Sequence, residues 1–222
     1  MSARLFVRRW ILYAASCGAV FGVEVLFYTF VHVRMANFYA ELIGSPLLSA
    51  IVLVNIGADA THGLPTAALR LERIIERAWA IIVIDVGITM LTRAGFISMS
   101  STDAGQIFLG VIVIFMAAML VYAEPFAAVE NDVQTLTLVP FAVLRSMMLA
   151  WVNISRIFSL FAIQIGLTIV ELQLLRWLAP KGGPKLDLID LGFVTVITAP
   201  LAALFAVAYL DTLAQERRMR QR

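Results

Sequence analysis

The sequence predicts an all-α protein, a polytopic membrane helical bundle of about six transmembrane helices with two amphipathic cytoplasmic connectors. Three observations carry that expectation. Hydrophobic residues make up 61% of the 222 and charged residues 14%, where soluble domains hold about 45–50% and about 25%. Mean hydropathy is +0.91, so the bilayer is the solvent that fits this much apolar surface. Six stretches also reach the roughly 20 mostly apolar residues that a spanning helix needs. They lie near Trp10–Val33, Phe38–Asp59, Ile74–Thr92, Ile107–Ala127, Ile157–Leu178 and Leu191–Leu213.

The basic residues give the orientation. With six spans both termini share a side. Twelve of the 17 Lys and Arg residues then fall there, among them Arg9, Arg70, Arg73, Arg77, Arg145, Arg156, Arg217 and Arg218. Arg34, Arg93, Arg176, Lys181 and Lys185 lie opposite. The positive-inside rule places both termini in the cytoplasm, and the expected location is a bacterial inner membrane.

The first span opens on the interface pair Arg9-Trp10 and carries Glu24, with His32 near its outer end. The second ends in Asn55, Asp59 and His62, which share one helical face. Gly63 and Pro65 stop it, and Pro65 stands where a helix can start. From Thr66 to Trp79 follows an amphipathic segment with a stripe of Leu71, Ile74, Ile75 and Ala78. It reads first as a cytoplasmic extension of the third span and second as a separate interfacial helix. The third span holds Asp85, and Ala94–Gln106 has the composition of an exposed loop. The fourth span is the most uniformly apolar and ends at Tyr122, with Glu124-Pro125 as a kink or stop. Glu130, Asn131 and Asp132 supply turn chemistry. The helix begun by Pro140 repeats Phe141, Leu144, Met148 and Trp151 at three or four residues. This second connector is expected to lie along the inner leaflet and feed the fifth span, which carries Glu171. A basic tail after Asp211 closes the chain.

The chain reads as a single integral membrane domain, 1–222. Ala67-Ala68-Leu69-Arg70 and Ala142-Val143-Leu144-Arg145 hold corresponding places, and Arg9 to Glu24 has the spacing of Arg156 to Glu171. Three helical hairpins, about 1–73, 74–140 and 141–222, fit these pairs; recurrence of short apolar motifs by chance fits them too.

Glu24, Asp85 and Glu171 form the candidate intramembrane polar site. A charge at mid-membrane costs about 2.5–3.5 kcal/mol on insertion scales, so these acids should face the bundle interior or take up a proton. They read either as a proton or cation path or as hydrogen-bonding contacts between helices. Asp59, His62, Glu124, Glu130 and Arg145 form a cytoplasmic-edge charged cluster, read as an ion-pair network. No metal and no cofactor is expected: HExxH and Cys/His spacings are missing, as are phosphate-binding glycine loops and a GxSxG serine. Both lysines lie in the outer loop, which excludes a retinal Schiff base within the bundle. The single Cys17 excludes an internal disulfide. Ala14-Ala15-Ser16-Cys17 lacks the leucine of a lipoprotein box, and its apolar run continues to Val33, too long for a signal peptide.

Phe126, Glu130, Ala142, Leu144, Arg145 and Ser146 set an acid after an apolar span and an Ala/Leu-Arg-Ser core on the next helix. This pattern resembles the multi-span membrane domain fused to some bacterial glycerophosphodiester phosphodiesterases, and its uncharacterised stand-alone relatives. Asn131 replaces the glycine that usually follows the acid. The resemblance covers about forty residues and implies a membrane domain without phosphodiesterase activity of its own.

The expected function is a non-enzymatic accessory subunit or scaffold of a membrane complex. Its partners would be the lipid bilayer and other membrane subunits or further copies of itself, with no nucleic acid. The alternative is a small transporter or permease component that uses the buried carboxylates for proton or cation coupling.

Overall fold

In the computed structural model, residues 7, 9–31, 39–61, 64, 66–130, 137–178 and 184–220 are described. Helix accounts for 93% of the structure, with no strand among the described residues. Five helices are long and apolar enough to cross a membrane: Trp10–Phe30, Leu42–Thr61, Ala67–Met99, Ala104–Val129 and Leu188–Met219. A sixth span exists if Leu138–Val152 and Ile154–Leu167, bent by 108°, are counted as one.

The elements in chain order are α1 (Trp10–Phe30), a π-helical turn (Ala40–Gly44), α2 (Ser45–Thr61), α3 (Ala67–Met99), α4 (Ala104–Met119), α5 (Ala123–Val129), α6 (Leu138–Val152), α7 (Ile154–Leu178) and α8 (Pro184–Arg220). α2 is the hub. Its spanning window is 72% buried, against 17–39% for the other four single-helix spans. It packs against α8, α3, α5 and α1. Its composition explains the position: Leu48, Val52, Leu53, Val54 and Ile56 are fully buried, and Ala50 and Gly57 allow close approach. A Cβ on Gly57 would stand 2.7 Å from Val129 Cγ2.

α3 runs unbroken from Ala67 to Met99, started by the Thr66 hydroxyl, which accepts from the Leu69 N–H. The amphipathic segment from Thr66 is therefore the first part of this helix. Leu71 and Ile75 point outward while Ile74 and Arg77 are buried. The stripe is therefore divided, Ile74 turning to the protein and Leu71 and Ile75 outward beside the exposed Glu72 and Glu76. The long loop expected over Ala94–Gln106 is not there. α3 continues to Met99, and α4 begins at Ala104 beneath an Asp103 cap that accepts from the Gly105 and Gln106 N–H groups. Gly95 and Gly110 explain the correction. A Cβ on Gly110 would lie 2.7 Å from the Gly95 carbonyl, so two glycines let the helices cross almost backbone to backbone beside the turn.

α4 breaks at residues 120–122 and resumes as α5. Pro125 contributes to the break because it offers no N–H to the turn before it. Ser146 on α6 bridges the gap: its Oγ accepts from the Tyr122 N–H at 3.1 Å and donates to the Met119 carbonyl at 2.8 Å. An interrupted helix in a bilayer needs such substitutes, because no water replaces them. α6 and α7 meet at Asn153, whose side-chain amide donates to the Leu149 carbonyl. On α6 the small residues Ala142, Ser146 and Ala150 face the protein, and Phe141, Leu144, Met148 and Trp151 face out.

Candidate functional site

The candidate site acids that the structure describes fall into three settings. At the end where α1 starts and α8 finishes, Asp59 on α2 accepts from Arg9 (Nε, 2.6 Å; Nη2, 3.0 Å) and from Arg70 (Nη2, 2.7 Å). Arg70 spends its remaining donors on the Asn55 amide oxygen (3.2 Å) and the Leu64 carbonyl (2.9 Å). The Asn55–Asp59 face predicted from the sequence is thus a socket for one guanidinium. Across the same end, Arg145 pairs with Glu216 and Arg156 with Asp211 (2.7 Å). Arg156 also donates to Thr212 Oγ1, which hydrogen-bonds the Tyr122 hydroxyl, and the Tyr209 hydroxyl donates to Glu130 (2.9 Å). His62 lies outside the described residues. Of the expected edge cluster, then, Asp59, Glu130 and Arg145 keep separate partners at one end, and Glu124 lies elsewhere.

Glu24 makes the second setting. It is buried between α1 and α8, where its carboxyl accepts from the Thr195 hydroxyl at 2.8 Å. Gly44 of the π-helical turn leaves room for it, since a Cβ there would come within 3.1 Å of Glu24 Oε1.

The third setting is a cavity. α3 packs on α2 and α4 but stands apart from α7 and α8, and the space between has a volume of about 380 Å³. That lies within the roughly 300–1,000 Å³ usual for small-molecule sites. Asp85 and Glu124 both line it, with their carboxyls near enough to act on each other. Two carboxyl groups facing one apolar space are costly to ionise together, which favours a proton held between them. Thr89, Thr92 and Arg93 follow Asp85 along the same face of α3, and Ser45 and Thr198, 3.0 Å apart, line the opposite wall. Phe96, Phe161, Phe193 and Phe205 supply the apolar lining. Arg93 stands eight residues beyond Asp85, about 12 Å along the helix at 1.5 Å per residue, and has an interaction of its own within the protein.

The trio expected as one polar site is therefore divided. Asp85 lies in the cavity and Glu24 in a separate niche. The side chain of Glu171, on α7, lies outside the described residues. Sequence reasoning placed Glu124 at the membrane edge because Pro125 follows it; the α4–α5 break turns it back toward Asp85. The polar face Asp85, Thr89, Thr92 and Arg93, at helical spacing within an apolar run, was a legible signal of an inward-facing polar wall. Comparison of the chain with protein families, with curated proteins and with solved structures finds no match.

Proposed function

We propose that the chain is a small transporter or permease component that binds its solute in the α3–α7–α8 cavity and couples to protons through Asp85 and Glu124. The carrying observation is the acid pair itself. Asp59, Asp211 and Glu216 each have an arginine, whereas among the described residues Asp85 and Glu124 have no cationic partner and stand beside a space of ligand size. Intramembrane acids that face a cavity mark ion or substrate paths. The ion pairs support the reading, because one set ties α1 and α3 to α2 and another ties α6 and α7 to α8, while α3 and α7 stay apart around the cavity. In this proposal the arginine-rich end is cytoplasmic in an inner membrane, in keeping with the positive-inside rule. The accessory-subunit reading gives the cavity no task.

Reconstitution tests this. Proteoliposomes with an imposed proton gradient should accumulate at least one polar solute from a panel of amines, amino acids and sugars. Asp85→Asn and Glu124→Gln should each reduce accumulation at least tenfold while leaving the melting temperature in place. Flux equal to that of protein-free vesicles across the panel would refute transport. Purification with a second polypeptide in fixed stoichiometry would then restore the accessory-subunit reading.

A further inference from the structure

Resting on that reading, we infer that the substrate is a monovalent organic cation, an amine-class molecule with an apolar body, taken up by the cavity in exchange for the proton shared by Asp85 and Glu124. Among the described residues the pair has no resident cation. No arginine, lysine or histidine among them acts on Asp85 or Glu124. Arg93 is the only other charged side chain lining the cavity among the described residues, and it already has a partner in the protein. The other groups on the walls are neutral: Thr89 and Thr92 on α3, Ser45 and Ser49 on α2, Gln164 on α7 and Thr198 on α8. A cation that replaces the shared proton leaves the charge of the site unchanged, with two carboxylates around one ammonium where there had been two carboxylates around one proton.

The walls argue for an organic cation over a metal ion. No group of three or more His, Cys, Asp and Glu capable of holding a metal occurs among the described residues. Four phenyl rings line a space far larger than a dehydrated ion. Aromatic faces attract ammonium groups and pack apolar carbon, and they offer a metal no ligand. Thr92 and Thr198 have already committed their hydroxyl protons to the Ile88 and Val194 carbonyls, so what they present to the cavity is acceptor oxygen. Acceptors suit a cation.

Benzyltrimethylammonium is the probe, because its charge is permanent and any proton released must come from the protein. Isothermal titration calorimetry on the purified full chain, in two buffers of different ionisation enthalpy, counts that proton. The expected result is binding with one proton released per cation. By linkage, Kd then tightens about tenfold per pH unit over the range in which the pair still holds its proton. Glu124→Gln should bind with no proton released and a flat pH profile. If that variant does not fold, the proton count on the unaltered protein still decides. Binding without proton release overturns the exchange, and preference for benzyl alcohol, benzylsulfonate or phenylalanine overturns the cation class. Failure of the two ideas is distinguishable. Cation binding with proton release but no vesicle flux sinks transport alone, and flux of a neutral or anionic solute without cation binding sinks only the present inference.

Discussion

Replacing Asp59 by Ala should be among the most damaging single substitutions in the chain. Its side chain is only 4% exposed and holds two arginines, themselves 11% (Arg70) and 27% (Arg9) exposed. Removing the acid leaves two guanidinium groups facing each other where α1, α2 and α3 converge. Breaking a buried ion pair by deleting one partner costs about 3–5 kcal/mol, and the partial exposure of Arg9 puts the expected loss at the lower end, about 3 kcal/mol. For a chain of this length that lowers the melting temperature by about 6–12 °C. Asp59→Asn keeps an acceptor and should cost less. Arg70→Lys separates charge from geometry, because an ammonium retains the charge but cannot serve the Asp59, Asn55 and Leu64 acceptors through one rigid fork. The assay is thermal unfolding of the detergent-purified protein, with the double variant Asp59→Ala/Arg70→Ala closing a cycle. A loss under about 1 kcal/mol for Asp59→Ala is the value of an exposed surface pair, and that result would refute the socket.

Gly110→Leu should force α3 and α4 apart, since even a Cβ there meets the Gly95 carbonyl at 2.7 Å and Met99 Cγ at 2.7 Å; the measure is a large drop in melting temperature, beyond the roughly 1–3 kcal/mol of ordinary overpacking. Ser146→Ala strands the Tyr122 N–H and the Met119 carbonyl at the α4–α5 break, which should cost about 1–3 kcal/mol, with Ser146→Cys, a weaker donor, in between. Thr195→Val removes the hydroxyl that meets Glu24, whereas Thr195→Ser keeps it. Unfolding midpoints should separate the two variants, and equal values would show that the Glu24 contact contributes nothing.

What the sequence revealed follows what lipid makes unambiguous. Long apolar runs announce helices because a bilayer leaves the backbone no other way to satisfy itself, and the spans at Trp10, Ala67, Ala104 and Leu188 all lie close to where hydropathy put them. The pairing of Asn55 and Asp59 on one face was legible from their spacing alone. Glu124 was not. Its position depends on the break at residues 120–122, and that break is tolerated because Ser146, from a helix more than twenty residues away, completes the backbone. The turn at residues 100–103 was hidden in the same way. Gly, Ser and Thr in a local window read as a loop, while in space Gly95 and Gly110 are the point where two helices touch. Composition speaks for single helices, and interruptions are decided between them.

The distribution of arginine explains why the acid pair persists as it is. Arg9, Arg70 and Arg156 stand near helix ends and Arg145 midway along α6, each keeping part of its side chain exposed while the stem packs among neighbours. An acid within their reach becomes a structural pair, and Asp59, Asp211 and Glu216 have that fate. Asp85 lies 18 residues beyond Ala67, the start of α3, about 27 Å along the helix at 1.5 Å per residue, deep enough that an arginine brought to meet it would itself need burial. Nature has a simpler structural solution for such a position, an alanine or leucine, which would cost nothing in desolvation. Two acids facing one cavity there are unfavourable for stability, and the dense α2 core offsets that cost. On the proposed reading, a carboxyl pair to which no described residue brings a counter-charge is kept for a cation that arrives from outside the fold.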